Sequence, residues 1–332
     1  MESPEPARIL MVRLGALGDV VHALPAAAAL KRSFPQARLA WAIEPRWAVL
    51  LGRNPHLDGV LALDIRGGWL AARRELRAAR FDLVIDFQGL IKSALVARAA
   101  GAARVAGFAR ELLREKAAGF FYTERAGSSA GHVVDQNLDL AAAAGAQHRT
   151  VEFPLPPGVA EGQLPDGDFV LASPAAGWRA KQWPEAHYAR LAGLLREQLG
   201  WPLVINCAPG EQDKAPAIVE MAPPGSCRLH VSSVAGLVDA TRRARAVVGV
   251  DSGPLHLAAA LGKPGVALFG PTDPSRNGPY GDSFVVLRAA GATTSYKRAG
   301  QIAPSMRALD PERVMQALAA QVSRKPVLEP HR

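Results

Sequence analysis

Cysteine is nearly missing from this 332-residue chain, which holds only Cys207 and Cys227. Two thiols outside a CxxC spacing build neither a disulfide framework nor a zinc site unaided. They read as small core residues of a protein kept in a reducing compartment. The eight histidines form no HExxH or HxxxH pattern, so no metal is expected and no cofactor is called for. No apolar run approaches the roughly 18 residues that a spanning helix needs. The opening Met1-Glu-Ser-Pro-Glu-Pro lacks the basic start and apolar core of a signal peptide, which points to the cytoplasm. Aromatic residues make up only 6% of the chain and form no aromatic-basic RNA-binding motif, so no nucleic-acid partner is expected.

Against these absences, 49% of the residues are apolar and the formal net charge is +9. The first figure excludes disorder, and the second favours an anionic partner. The length suits two domains of about 150 residues each. Short apolar runs at residues 7–14, 38–43, 59–63, 82–86 and 104–107 read as strands. Helical periodicity lies between or after them at 19–34, 69–80, 90–99 and 132–144. Residues 151–168 (VEFPLPPGVAEGQLPDGD) are rich in Pro and Gly and read as a linker. The alternation then restarts, with strands at 169–172, 204–206, 247–250 and 266–269. The helices of this half are expected at 185–198, 211–221, 234–244, 255–261 and 310–322. The expected architecture is therefore α/β: two Rossmann-like, doubly wound domains, 1–150 and 169–325, facing a central cleft.

Five motifs fall where such strands end. Gly15-Ala-Leu-Gly-Asp19 follows the first strand. Its glycines permit a tight turn, and Asp19 reads either as a helix N-cap or as a carboxylate poised as general base. GxxG is not the dinucleotide fingerprint, although Glu44 ends the second strand where a ribose-binding acid would sit. Gly177-Trp-Arg-Ala-Lys-Gln-Trp-Pro184 follows the first strand of the second half and offers Lys181 to a phosphate. Val250-Asp-Ser-Gly-Pro-Leu-His256 is a strand end running into a helix start, with Pro254 at a position where its missing N–H costs nothing. The free N–H groups of such a helix start bind anions. Ala208-Pro-Gly-Glu211 and Phe269-Gly-Pro-Thr-Asp273 are further strand-end loops, and Glu211 suits a ribose diol.

Taken together, LGALGDVVHALPA, GWRAKQWP, VVGVDSGPLHLAAALGKP and ALFGPTDP resemble the lipopolysaccharide heptosyltransferases, inverting enzymes of GT-B fold. Within that family, residues 84–93 (VIDFQGLIKS) are more similar to heptosyltransferase I than to heptosyltransferase II. The resemblance implies an ADP-heptose donor, an anionic glycolipid acceptor (Kdo-lipid A) and work at the cytoplasmic surface of the inner membrane. It casts Asp19 as the base, and Lys181, Asp251, Ser252, Gly253, His256 and Glu211 as donor-binding residues. Gly18, Arg66 and Arg114 become acceptor-binding residues. Ala176 and Gly177 stand where some members carry hydroxyl residues, and Gly67 where some carry a second acceptor arginine. Heptosyltransferase II or another nucleotide-sugar transferase of the same family, and a GT-B-like nucleotide-sugar epimerase, are the alternatives.

Overall fold

Runs such as Ile9-Leu-Met-Val12 are apolar at every position because a parallel strand is covered by helices on both faces. The computed structural model describes residues 7–65, 67–210, 215–295 and 299–323. The chain divides into two compact units, Met1–Pro156 and Pro157–Arg332.

The first unit runs β1 (Arg8–Val12), α1 (Leu17–Ser33), β2 (Arg38–Ile43), β3 (Gly59–Ala62), α2 (Trp69–Ala78) and β4 (Leu83–Asp86). It continues with α3 (Ile91–Ala99), β5 (Arg104–Phe108), β6 (Glu124–Ala126) and α4 (Val133–Ala143). Short 3-10 segments, Pro45–Leu51 and Lys116–Phe121, follow β2 and β5. The six strands are parallel in the order β3-β2-β1-β4-β5-β6. The alanines of α1 let it pack closely, and its residues from Val20 to Leu30 are all buried.

The second unit opens with β7 (Val170–Ser173), α5 (Glu185–Leu199), β8 (Leu203–Cys207), α6 (Ala215–Met221), β9 (Cys227–Val231) and α7 (Val234–Arg243). After these come β10 (Ala246–Val250), α8 (Gly253–Ala260), β11 (Gly265–Phe269), α9 (Pro274–Asn277), β12 (Phe284–Arg288), α10 (Pro304–Arg307) and α11 (Pro311–Ser323). Its sheet has the order β12-β11-β10-β7-β8-β9, again all parallel. Counted within each unit, both sheets follow the Rossmann order 3-2-1-4-5-6. Residues 157–168 carry no helix or strand and are tied to the second unit. There the Glu161 carboxylate accepts from Ser233 N and Oγ at 2.7 and 2.6 Å, and Val159 N donates to the Ala235 carbonyl at 3.1 Å.

In this topology the strand order reverses between β1 and β4, and again between β7 and β10. Ligands of open parallel sheets bind outside the carboxyl ends of the strands at such switch points. The loops there are residues 13–16 and 87–90 in the first unit, and 174–178 and 251–252 in the second. All four segments overlap a stretch singled out above. The inner strands match the expected ranges to within two residues. The edge strands β6, β9 and β12 were not expected, because half-exposed strands lack the continuous apolar run that marks inner ones.

Candidate active site

Helix α1 begins at Leu17, so Asp19 sits in its first turn and not at the N-cap, which is Ala16. An alanine cannot cap. The Asp19 carboxylate does so from inside, accepting from Ala16 N at 3.3 Å, while its other oxygen lies 2.7 Å from Arg13 Nη2. Asp19 is 48% exposed at its side chain and Arg13 only 11%, so the carboxylate has an open edge and the guanidinium does not. Arg13 also donates through Nη1 to the Phe87 carbonyl, in the loop after β4. That loop grips the turn a second time, since Gln88 Oε1 accepts from Leu14 N at 2.8 Å. Gly18 is buried in the same first turn.

Asp86, at the end of β4, holds the gripping loop in shape. Its fully buried carboxylate accepts from Gln88 N at 2.8 Å, Gly89 N at 3.3 Å, Ser93 Oγ at 2.8 Å and Tyr122 Oη at 2.7 Å. Burial pushes the Asp86 carboxyl up by more than these bonds pull it down, and burial beside Asp86 likewise pushes up the Tyr122 phenol. Gly89 turns with φ +69°, and a Cβ there would lie 2.7 Å from Leu113 Cδ2, so no other residue closes this loop without strain. The chain of contacts from Asp86 through residues 87–89 to Arg13 and Asp19 was not expected from the sequence. Arg13 carried one visible signal, a lone charge at the end of an apolar strand.

Glu44 ends β2 but is not a free ribose-binding acid. Its two oxygens lie 3.0 Å from Lys92 Nζ and 3.3 Å from Arg46 Nη2. Arg114 is exposed in the loop after β5, and its neighbour Glu115 accepts from Ile91 N at the start of α3. Arg66 lies outside the described residues.

In the second unit, β7 and β10 are adjacent, and the segments that follow them meet. Lys181 Nζ lies 2.7 Å from Asp251 Oδ2, and the Trp178 ring holds the same ammonium 4.7 Å from its centroid. His256, in the first turn of α8, brings Nε2 to 3.6 Å from Asp251 Oδ1. Burial alone would raise the Asp251 carboxyl. The His256 imidazole and Lys181 ammonium beside it outweigh burial and hold it well below the usual carboxylate range. Two cationic or donor-bearing groups thus converge on one carboxylate of 6% exposure. Ser252 is the N-cap of α8, yet its hydroxyl makes no capping bond. Ser252 Oγ and Thr272 Oγ1 are buried with no hydrogen-bond partner among the described residues. Unpaired buried hydroxyls are costly, and at a strand end beside a helix N-terminus they suit ligand oxygens. Thr272 was read only as part of a loop, and Trp178 only as part of a motif. Glu211 lies outside the described residues, which end on this loop at Gly210. Among the described residues no three His, Cys, Asp or Glu side chains cluster as a metal site would require.

Two Rossmann-like sheets in series, with a carboxylate turn at the first switch point and a cation–carboxylate–helix-start group at the second, are the parts of an enzyme of GT-B fold. The family model of glycosyltransferase family 9 (heptosyltransferase) matches residues 69–304. Lipopolysaccharide heptosyltransferase 1 of Pseudomonas aeruginosa is 33% identical over 302 residues, 84% of this chain and 83% of that protein. Its Escherichia coli K12 counterpart is 31% identical over 317 residues, 85% and 93% of the two chains. The solved structure of E. coli heptosyltransferase WaaC with ADP superposes with a TM-score of 0.78 at 26% identity, covering 95% of this chain and 99% of that one. The chain belongs to glycosyltransferase family 9, the heptosyltransferases.

Proposed function

We propose that this enzyme transfers L-glycero-D-manno-heptose from ADP-heptose to the Kdo residue of Kdo-lipid A, with inversion at the anomeric carbon. The observation that carries the reading is the pairing of Lys181 with Asp251 beside the start of α8, at the second switch point. Residues 169–325 take the donor. Lys181 and the amides of Ser252 and Gly253 meet the pyrophosphate, with His256 beside them. Asp251 hydrogen-bonds the heptose, and Glu211 holds the adenosine ribose. Residues 1–150 take the acceptor through Gly18, Arg66 and Arg114. Asp19 removes the proton of the attacking hydroxyl as the new C–O bond forms and the anomeric bond to ADP breaks. Lys181 and the α8 N-terminus balance the charge that develops on the leaving diphosphate.

No described helix is long and apolar enough to cross a membrane. We place the enzyme at the cytoplasmic face of the inner membrane, where a phosphorylated lipid presents its sugars. The net positive charge suits that surface.

Incubation of the enzyme with ADP-heptose alone separates transfer from epimerisation. The transferase leaves the donor sugar unchanged until the acceptor is added, whereas an epimerase alters it without one. Arg114→Ala is expected to raise the acceptor KM with little change in the donor KM, because the exposed guanidinium reads an anionic group. Steady-state kinetics with each substrate varied in turn checks this. A rise in the donor KM alone would move Arg114 to the nucleotide.

A further inference from the structure

The carboxyl end of β2 carries a group of charges that the donor chemistry does not use. Glu44 closes the strand, and its N–H donates to the Leu14 carbonyl at 3.0 Å, which places it directly against the turn that leads to Asp19. Trp47 packs on that turn as well. A Cβ on Gly15 would lie only 2.5 Å from Trp47 Nε1, so the glycine is what allows the indole to sit there. The indole N–H is buried with no hydrogen-bond partner among the described residues, a cost that packing alone gives no reason to accept.

What Trp47 does hold is Arg46, whose guanidinium carbon stands 4.6 Å from the ring centroid. Glu44 fixes the same guanidinium from the side, at 3.3 Å through Nη2, and takes Lys92 Nζ at 3.0 Å on its other oxygen. One carboxylate is thus shared by a guanidinium with five N–H donors and an ammonium with three. Most of those donors are unspent, the local charge is positive, and Arg46 is 69% exposed at its side chain. The ring and the carboxylate fix a long side chain that would otherwise lose rotamer freedom on binding. Lys92 extends the group to the start of α3, and Glu115, beside Arg114, accepts from Ile91 N there. Arg46, Lys92 and the Arg114 loop therefore lie along the carboxyl edge of the first sheet, in segments that follow strands to either side of β1, which leads into the turn that carries Asp19.

We propose that Arg46, held by Trp47 and Glu44 and assisted by Lys92, is a carboxylate-reading subsite for the acceptor, which binds the acid group of a carboxylated sugar beside the attacking hydroxyl. This rests on the assignment of the acceptor to the first unit and adds the group on the acceptor that is recognised. A planar, fixed guanidinium suits bidentate recognition of a carboxylate.

The test compares two acceptors, Kdo-lipid A and the same glycolipid with the Kdo carboxyl converted to its amide, in the parent enzyme and in Arg46→Ala. Arg46 is exposed, so the variant is expected to fold. The expected result is an acceptor KM raised about tenfold by Arg46→Ala, as for loss of a charged hydrogen bond, with donor KM unchanged. Against the amide the same substitution should cost little. An equal loss against both acceptors, or a loss confined to the donor, overturns the subsite. Binding of the methyl glycoside of Kdo and of its amide, followed by NMR titration, reads the site without turnover. A parent that binds the acid in preference to the amide, and an Arg46→Ala variant that does not, supports the subsite even if no heptose is transferred. A parent that binds both alike overturns it, whatever the transferase assay shows.

Discussion

Asp19→Ala is expected to lower kcat by about 10²–10⁴-fold while ADP-heptose binds as before, the loss typical of a missing general base. The acceptor hydroxyl attacks from the face opposite the leaving diphosphate, and its proton must go somewhere as the bond forms. In the proposed transfer Asp19 would take that proton; two contacts hold it, Arg13 Nη2 at 2.7 Å and Ala16 N at 3.3 Å, and one edge of the carboxylate stays open. The competing role is structural, because an acid in the first turn supports a helix start worth about 1 kcal/mol. Asp19→Asn separates the two. Its amide oxygen can still accept from Ala16 N, but it cannot take the proton. A folded Asn variant with full kcat would reduce Asp19 to a helix-start residue and leave the base unidentified.

Lys181→Ala is expected to weaken transition-state stabilisation by about 2–4 kcal/mol, comparable to losing one donor of an oxyanion hole. The ammonium is held 2.7 Å from Asp251 and against the Trp178 ring, where a diphosphate at the α8 N-terminus would meet it. The substitution also strips a buried carboxylate of its cation, so stability should fall together with activity. Melting temperature and kcat/KM measured on the same preparation distinguish these effects. Lys181→Arg, which keeps the charge, should recover most of the stability and only part of the rate, because the guanidinium does not copy the ammonium's geometry. A Lys181→Ala enzyme that is folded and turns over like the parent would remove the lysine from the phosphate site.

The inner strands were legible because burial on both faces leaves a run such as Val247-Val-Gly-Val250 with almost no polar residue to confuse it. β9 was not, since Arg228 is exposed at the edge of its sheet and breaks the pattern. Asp251 and Ser252 stood out by position, directly beyond a strand whose end could be read, and Asp19 and Lys181 did so within the strand-to-helix segments after β1 and β7. The contacts that set them were not. Arg13 reaches Phe87 and Asp86 reaches Tyr122 across 74 and 36 residues of sequence, and only the pairing of β1 with β4 and of β4 with β5 brings them together. Asp251 meets Lys181 for the same reason, through β7 and β10. The N-cap reading of Asp19 was off by three residues: the N-cap is Ala16, which offers no side-chain acceptor, and the acid at the third helical position takes over.

In the proposed reaction this chain's own residues transfer heptose from ADP-heptose to Kdo-lipid A. Mass spectrometry of the purified enzyme incubated with both substrates in excess EDTA tests it most directly. One new glycolipid is expected, heavier than the acceptor by a single anhydroheptose and formed together with one equivalent of ADP. An unchanged acceptor mass while ADP-heptose is intact or merely isomerised would contradict it, as would product that forms only after magnesium is restored.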